Sequence, residues 1–523
     1  MSGDIELNAG FKKHTLFLGL ILCLSVLIRV IWAFWIGREY WGDAYHNLWM
    51  IQQTNELGTY FDYKDRHLVW LPAYRFLLLA EDALLGLKLS GPVLPFLLQL
   101  TYMSLAGFWI QKHARKLASP LFVAVILLWP LPVLFGGFNM SEGLALVTVT
   151  ATFLFVKKEP ALPRTALIIL LCAISALTRH EATAFLGIYA LVLFLMRFRK
   201  SSFAVLTGLS IGIALLCVWN GMLINDPFFW LTSKFNASSS GASEIIERGG
   251  MLPRIAEALF AVLLVFPSLP VLWLGAKRKW LDRFTYSRAF KPILPALYST
   301  FCFLLIFLIA SLFFFHGADP KYLLLASFPL SVLTAFWIIA QKRGVQRFMT
   351  ALFTLLIPLY SVLFYARSYN LELERTLGTQ LTSVIDDQSN IWCDFPTVLV
   401  YAHWNPQLVI STDQISSRLT DSEPNVVSTL KSEKITHIIA ADYDHSKSLD
   451  WFPELASDTA FVVRGIRFEP IYRHKPPVWE GFNVGKPWLN QLRTYVISLN
   501  KPLYVWSITT LEQNVPNPAE RDG

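Results

Sequence analysis

The sequence predicts a polytopic α-helical membrane protein of about 11 transmembrane helices, with a cytoplasmic N-terminus and a small extracytoplasmic α/β domain at its C-terminal end. Three observations predict this. The 523 residues are 54% hydrophobic and 16% charged, against about 25% charge in soluble domains; mean hydropathy is +0.45. Runs of roughly 20 mostly apolar residues, the length a span needs, recur up to Tyr365. Basic residues gather in alternate loops, as they do on the cytoplasmic side of a membrane.

Eight runs read as full spans: Leu16–Ile36, Val93–Ile110, Leu121–Phe135, Phe203–Ile224, Ile255–Gly275, Ile293–Phe315, Tyr322–Ala340 and Phe348–Tyr365. Three shorter ones, Gly143–Val156, Thr165–Leu177 and Thr183–Phe198, bring the expected total to eleven. A short polar stretch without a small-residue cleavage site precedes the first, so it reads as a retained anchor. With the N-terminus inside, the cytoplasmic loops hold twenty Lys and Arg in short stretches, and the outer loops hold ten over longer ones. Leu68–Leu85 would reverse every later span if it crossed, but Arg75, Glu81 and Asp82 argue against a crossing.

The membrane domain is expected over residues 1–366, with an amphipathic first outer loop over 37–92. There Tyr45, Leu48 and Trp49 share one helical face, and Leu77, Leu78, Leu84 and Leu85 roughly share another, as in two helices lying at the interface. Residues 367–523 form the expected α/β domain. Its strand-like runs are Thr397–Tyr401, Leu408–Ser411, His437–Ala441, Ala460–Val463, Thr494–Ser498 and Leu503–Ile508, with a helix at Val426–Lys434. The formal charge of +8 follows from basic cytoplasmic loops facing anionic lipid; no nucleic-acid partner is implied. Four of the five cysteines lie in spans and only Cys393 lies outside them, so no external disulfide pair forms within the chain.

The polar constellations fall on the outer side. Asp43 follows the first span and is a candidate general base; it also reads as a solvated loop acid. Glu142, in Gly136-Gly137-Phe138-Asn139-Met140-Ser141-Glu142, reads as a second acid or as an acid favoured at a helix start. Together with Asp43 it would suit Mg²⁺ or Mn²⁺, so a divalent cation stays open as a cofactor. In Thr178-Arg179-His180-Glu181, Arg179 either pairs with Glu181 to close a helical hairpin or faces a phosphate. Lys321, in His316-Gly317-Ala318-Asp319-Pro320-Lys321-Tyr322, is a phosphate-binding point charge or a snorkelling lysine beside an interfacial tyrosine. Lys64, Arg66 and His67 form a basic cluster that suits a phosphate or lipid headgroups. Arg29, inside the first span, is expected to pair within the bundle. Asn236-Ala237-Ser238 matches a glycosylation sequon. His46, His67, His180 and His316 lack zinc spacing. No phosphate-binding glycine loop, nucleophile elbow or HExxH motif is present, which leaves ATP-driven work without a site.

These residues, in this order, resemble the GT-C type membrane glycosyltransferases, nearest the protein O-mannosyltransferase and lipid A aminoarabinose transferase group of glycosyltransferase family 39 and its bacterial relatives. The likeness covers about residues 16–365. Asp43 sits where the family places its catalytic acid. His67-Leu68-Val69-Trp70-Leu71-Pro72-Ala73-Tyr74 is similar to its proline-aromatic segment, and Met140-Ser141-Glu142 to its acidic span start. Leu177-Thr178-Arg179-His180-Glu181 is similar to its Thr-Arg-aromatic-Glu signature, and Lys321-Tyr322-Leu323-Leu324 to its Arg-Tyr-Leu-Leu pattern. Ala44 stands where many members carry a second acid, His180 replaces a common Tyr, and Lys321 replaces Arg.

The resemblance implies an integral protein of a bacterial plasma membrane, or of the endoplasmic reticulum in a eukaryote. It implies an extracytoplasmic active site, a polyprenyl-phosphate sugar donor and inverting transfer to an acceptor hydroxyl of protein, lipid or glycan. Asp43 would be the base, with Glu142 the second acid. Arg179, Lys321, Lys64 and Arg66 would hold the phosphate, with His180, Glu181 and His316 nearby. A secondary transporter, expected to show internal repeats and midplane ions, and a lipid-linked glycan ligase or polymerase are the competing readings.

Overall fold

The computed structural model describes residues 2–36, 42–57, 71–86, 91–114, 119–138, 140–231, 290–313, 320–339, 341, 343–344, 346–348, 351–352, 355, 372–394, 396–399, 402, 404–411, 423–441, 448–474 and 503–510. The chain divides into two units, residues 1–38 with 68–362, and residues 39–67 with 363–523. Residues 39–67 of the loop expected over 37–92 fall in the second unit.

In chain order the helices are α1 (Ser2–Ile31, continued by a π-helical turn Trp32–Ile36), α2 (Gly42–Leu57), α3 (Pro72–Leu85), α4 (Val93–His113), α5 (Pro120–Leu127), α6 (Pro130–Phe135) and α7 (Glu142–Phe155). They continue as α8 (Leu162–Ala176), α9 (His180–Leu195), α10 (Arg199–Ile224), α11 (Leu294–Phe313) and α12 (Ser327–Ile339). All but α2 belong to the membrane unit. Among the described residues five helical stretches are long and apolar enough to cross a membrane: Phe17–Phe34, Val93–His113, Arg199–Met222, Lys291–Ile309 and Lys321–Ile339. Helices α7, α8 and α9 are apolar but shorter. The protein is therefore an integral membrane protein. The expected span Ile255–Gly275 and most of Phe348–Tyr365 lie outside the described residues, as does the sequon at Asn236.

Two expected spans differ. Tyr322–Ala340 is a 3₁₀ helix up to Ala326 and an α-helix from Ser327. Leu121–Phe135 is two short helices, because Pro130 has no N–H with which to continue the first. Irregular backbone at membrane depth must find donors inside the protein, and three neighbours supply them. Arg29 Nη2 donates to the Leu127 carbonyl (2.7 Å), Gln99 Nε2 to Val133 (3.0 Å) and Trp32 Nε1 to Leu134 (2.7 Å). Arg29 thus turns inward, as its place in an apolar run requires, and is fully buried.

Helix α3 has the polarity of an interfacial helix turned inside out. Arg75, Glu81 and Asp82 are buried, while Phe76, Leu77, Leu84 and Leu85 are exposed. Leu78, expected with the outer leucines, points inward. Elsewhere small residues set the packing. A Cβ at Gly208 of α10 would stand 2.4 Å from the Ile169 carbonyl oxygen of α8, and one at Gly212 would stand 2.7 Å from that of Ala173.

The second unit is a six-stranded sheet of β1 (Ile391–Cys393), β2 (Val409–Ser411), β3 (His437–Ala441), β4 (Phe461–Val463), β5 (Ile466–His474) and β6 (Leu503–Thr510). The strand order is β2-β1-β3-β6-β5-β4. Strand β1 runs parallel to β2 and β3, and the other pairs are antiparallel. Side chains alternate between two cores. Ile391, Cys393, Ile439, Leu503 and Val505 fill one; Trp392, Ile438, Ala440, Tyr504 and Trp506 fill the other. Helix α13 (Glu372–Val384) covers the first face through Leu381, and α14 (Glu423–Ser432) covers the second through Val426, Val427 and Leu430. Leu48 and Trp49 of α2 also enter the first core; the α2 face expected at the membrane interface is packed on protein.

One expected strand changes. Residues Pro396–Leu399 form a 3₁₀ turn instead of a strand, and Thr494–Ser498 lies outside the described residues. Strand β5 was absent from the expectation because Pro470 interrupts it and Arg467, Glu469 and Arg473 stud it; the structure places Pro470 at a register shift, where a missing N–H is tolerated.

Gly208→Ala is expected to cost about 1–3 kcal/mol by overpacking against backbone. Gly187→Ala in α9, where nothing lies within 4 Å of the added Cβ, is expected to cost nothing. Thermal unfolding of the two detergent-solubilised variants checks the contrast.

Candidate active site

The turn between α8 and α9 organises the polar cluster. Helix α8 closes as the Thr178 hydroxyl donates to the Ile174 carbonyl (2.6 Å). Arg179 then adopts extended backbone, φ −154°, as the residue before α9. Its side chain reaches the start of α7. Arg179 Nη1 donates to Ser141 Oγ (3.2 Å) and pairs with Glu142 Oε1. Its Nε donates to Glu181 Oε2 (3.0 Å). The Glu142 side chain is 1% exposed, and it opens a helix, where the macrodipole favours an anion.

The Arg179 guanidinium lies 5.5 Å from the Tyr322 ring centroid, and Lys321 Nζ lies 5.5 Å from the same ring. Two cations therefore share one aromatic face system. Burial works to lower the Arg179 pKa, but Glu142, Glu181 and Tyr322 outweigh it and hold the group above its usual value. The guanidinium stays charged at every ordinary pH.

Helix α3 walls the cluster. Its Ala73 N–H donates to the Leu177 carbonyl (3.0 Å), one residue before the Thr178-Arg179 turn. Buried Tyr74 is raised well above the usual phenol value by burial, then by the charges of Glu81 and Glu142. Glu81 Oε1 accepts from the Leu94 N–H (2.7 Å) and so caps α4. Burial, with Asp82 beside it, pushes the Glu81 carboxyl up to about 7. Burial also holds Arg75 well below its ordinary value. On the far side, His180 stacks on Trp230, centroids 5.4 Å apart and planes 16° apart.

The structure thus gathers Glu142, Arg179, Glu181, His180 and Lys321 around one turn. Asp43 is the second residue of α2 and belongs to the other unit. Lys64, Arg66 and His316 lie outside the described residues. Among the described residues no three His, Cys, Asp or Glu side chains group as a metal site, and Glu142, considered above as a ligand, has one oxygen engaged by Arg179. Sequence reasoning missed Ser141, Tyr74 and Glu81 as neighbours, and named Tyr322 only as the interfacial aromatic in one of its two readings of Lys321. The signal was present for Tyr322: an aromatic directly beside a basic residue at a span start.

The helices of the membrane unit and the α/β unit have a fold similar to that of solved GT-C fold glycosyltransferases. The structure is similar to that of ArnT, a lipid A aminoarabinose transferase, from Cupriavidus metallidurans bound to undecaprenyl phosphate. The TM-score is 0.58 at 12% identity, covering 86% of this chain and 95% of that one. Against ArnT in the apo state the values are 0.55 and 11%, covering 86% and 96%. At such identity the likeness is one of fold. No protein-family model and no curated protein sequence matches the chain.

Arg179→Ala strands a buried carboxylate and is expected to cost about 3–5 kcal/mol. Arg179→Lys is expected to recover only part, since an ammonium cannot span Ser141, Glu142 and Glu181 as the guanidinium fork does. Thermal unfolding reads both. Glu81 has a folded pKa raised from 4.5 to about 7. Its contribution to stability is therefore present below pH 4.5 and lost as pH rises through about 7. Glu81→Gln, which keeps an acceptor for Leu94, is expected to flatten that fall in a melting-temperature series across pH.

Proposed function

We propose that this chain is a membrane glycosyltransferase that moves a sugar from a polyprenyl-phosphate-linked donor to an acceptor hydroxyl on the extracytoplasmic face, with inversion at the anomeric carbon. The observation that carries the reading is the fold shared with ArnT bound to undecaprenyl phosphate over 86% of the chain. The part-buried guanidinium of Arg179 and the ammonium of Lys321, set on one tyrosine ring, are the chemistry that a phosphate leaving group asks for.

In the proposed reaction the acceptor oxygen attacks the anomeric carbon, and the bond from that carbon to the phosphate oxygen breaks. The electron pair leaves with the polyprenyl phosphate. Asp43 takes the hydroxyl proton as the new glycosidic bond forms. Lys321, Arg179 and the basic pair Lys64 and Arg66 stabilise the negative charge that appears on the phosphate, so no strong acid is needed to protonate it. Glu142 and Glu181 serve here by aiming Arg179, and His180 with Trp230 supplies a flat wall beside it. The sugar and the acceptor are left to measurement.

Asp43→Asn is expected to abolish transfer from undecaprenyl-phosphate-linked hexoses and pentoses, read by mass analysis of products, with expression intact; retained turnover would remove the base. Lys321→Ala is expected to weaken undecaprenyl phosphate binding about 10- to 100-fold, the loss of one charge-assisted contact. Unchanged affinity would return Lys321 to an interfacial role.

A further inference from the structure

We infer that helix α2 is a structural part of the α/β unit, and that Leu48, Trp49 and Gln52 are positioning residues that set where Asp43 stands. The inference rests on the reading of Asp43 as the base and adds what holds it.

Helix α2 comes from the first outer loop, yet it packs as a core element of the C-terminal domain. Asn47, Leu48, Trp49, Met50, Ile51 and Gln52 are all buried. Leu48 and Trp49 share a core with Leu381 and Ile385 of the α13 segment, with Trp404, and with Val409 of β2. The Gln52 amide donates to the Trp404 carbonyl (3.0 Å), across 352 residues of sequence. That bond fixes rotation and register where apolar packing alone would allow sliding.

The helix has 16 residues, and an isolated helix shorter than about 12–15 residues is marginal in water, with one slightly longer only a little better. Docking on the sheet is therefore what gives α2 a fixed place. Asp43 lies six residues before Trp49, roughly 9 Å along the axis at about 1.5 Å per residue. A helix clamped at Trp49 and Gln52 carries Asp43 as a rigid extension. Misplacing a reacting group by about 1 Å from a distance costs on the order of 100-fold in rate.

The test uses the full chain in detergent, with the undecaprenyl-phosphate-linked sugar that the wild type turns over. Trp49→Ala and Gln52→Ala are compared with Trp49→Phe. Three quantities are read: kcat against KM for the donor, undecaprenyl phosphate binding, and hydrogen exchange of the α2 amides. The expected result is a fall in kcat of about 10- to 100-fold with phosphate binding unchanged, faster exchange in α2, and recovery of most of the rate in Trp49→Phe. Wild-type kcat in both alanine variants, with α2 exchange raised and Asp43→Asn inactive, would overturn the positioning role alone. Full turnover by Asp43→Asn would instead overturn the base, and the positioning claim with it. Should Trp49→Ala fail to fold, Gln52→Ala carries the test.

Discussion

The ion pair between Arg179 and the buried Glu142 is the constraint on which the membrane unit turns. Helices in lipid gain little from hydrophobicity against one another, since the tails are as apolar as the side chains. Directional contacts must decide how their ends meet. Arg179 ties the α8–α9 turn to the first residue of α7 through Glu142 and Ser141, and it faces Tyr322 at the approach to α12. The Leu177 carbonyl in the same turn holds α3. One guanidinium therefore locates the beginnings of several helices. A charge so costly to bury is retained where its partners are fixed and its field acts on whatever binds beside it.

The break at Pro130 obeys the same accounting of polar groups. Arg29, Gln99 and Trp32 each give a donor to a carbonyl that the interrupted helix leaves open. The break also brings the chain to Gly136-Gly137, where a Cβ on Gly137 would stand 2.4 Å from Trp32 Cδ1. The chain can then pass close under Trp32 and deliver Glu142 to the head of α7. The local irregularity and the cluster above it are one construction.

Much of this was legible in the sequence. Long apolar runs gave α1, α4, α10, α11 and α12 because lipid demands both length and composition. Thr178-Arg179-His180-Glu181 stood out because three polar groups between apolar runs must pair, and Arg179 does pair, with Glu181 as expected and also with Glu142. What escaped was of two kinds. The split of Leu121–Phe135 needed knowledge that three distant donors would tolerate it. The home of α2 was hidden because Leu48 and Trp49 suit a membrane surface and a protein core equally well, and only a partner some 350 residues away decides between them. Strand β5 failed for a local reason: Pro470 argues against a strand unless a bulge is known to receive it.

That long separation also orders the life of the chain. Helix α2 is synthesised early, and its sheet is complete only when β6, Leu503–Thr510, has been made. At about 5–20 residues per second, the interval is roughly 20 to 90 s. For most of it, until Trp404 and Val409 have been made, Leu48 and Trp49 lack the core partners that cover them, while the apolar helices between are entering the bilayer. The nascent first loop therefore carries an apolar helix in waiting, and whatever shelters such helices outside the membrane meets this protein before its own last strand does.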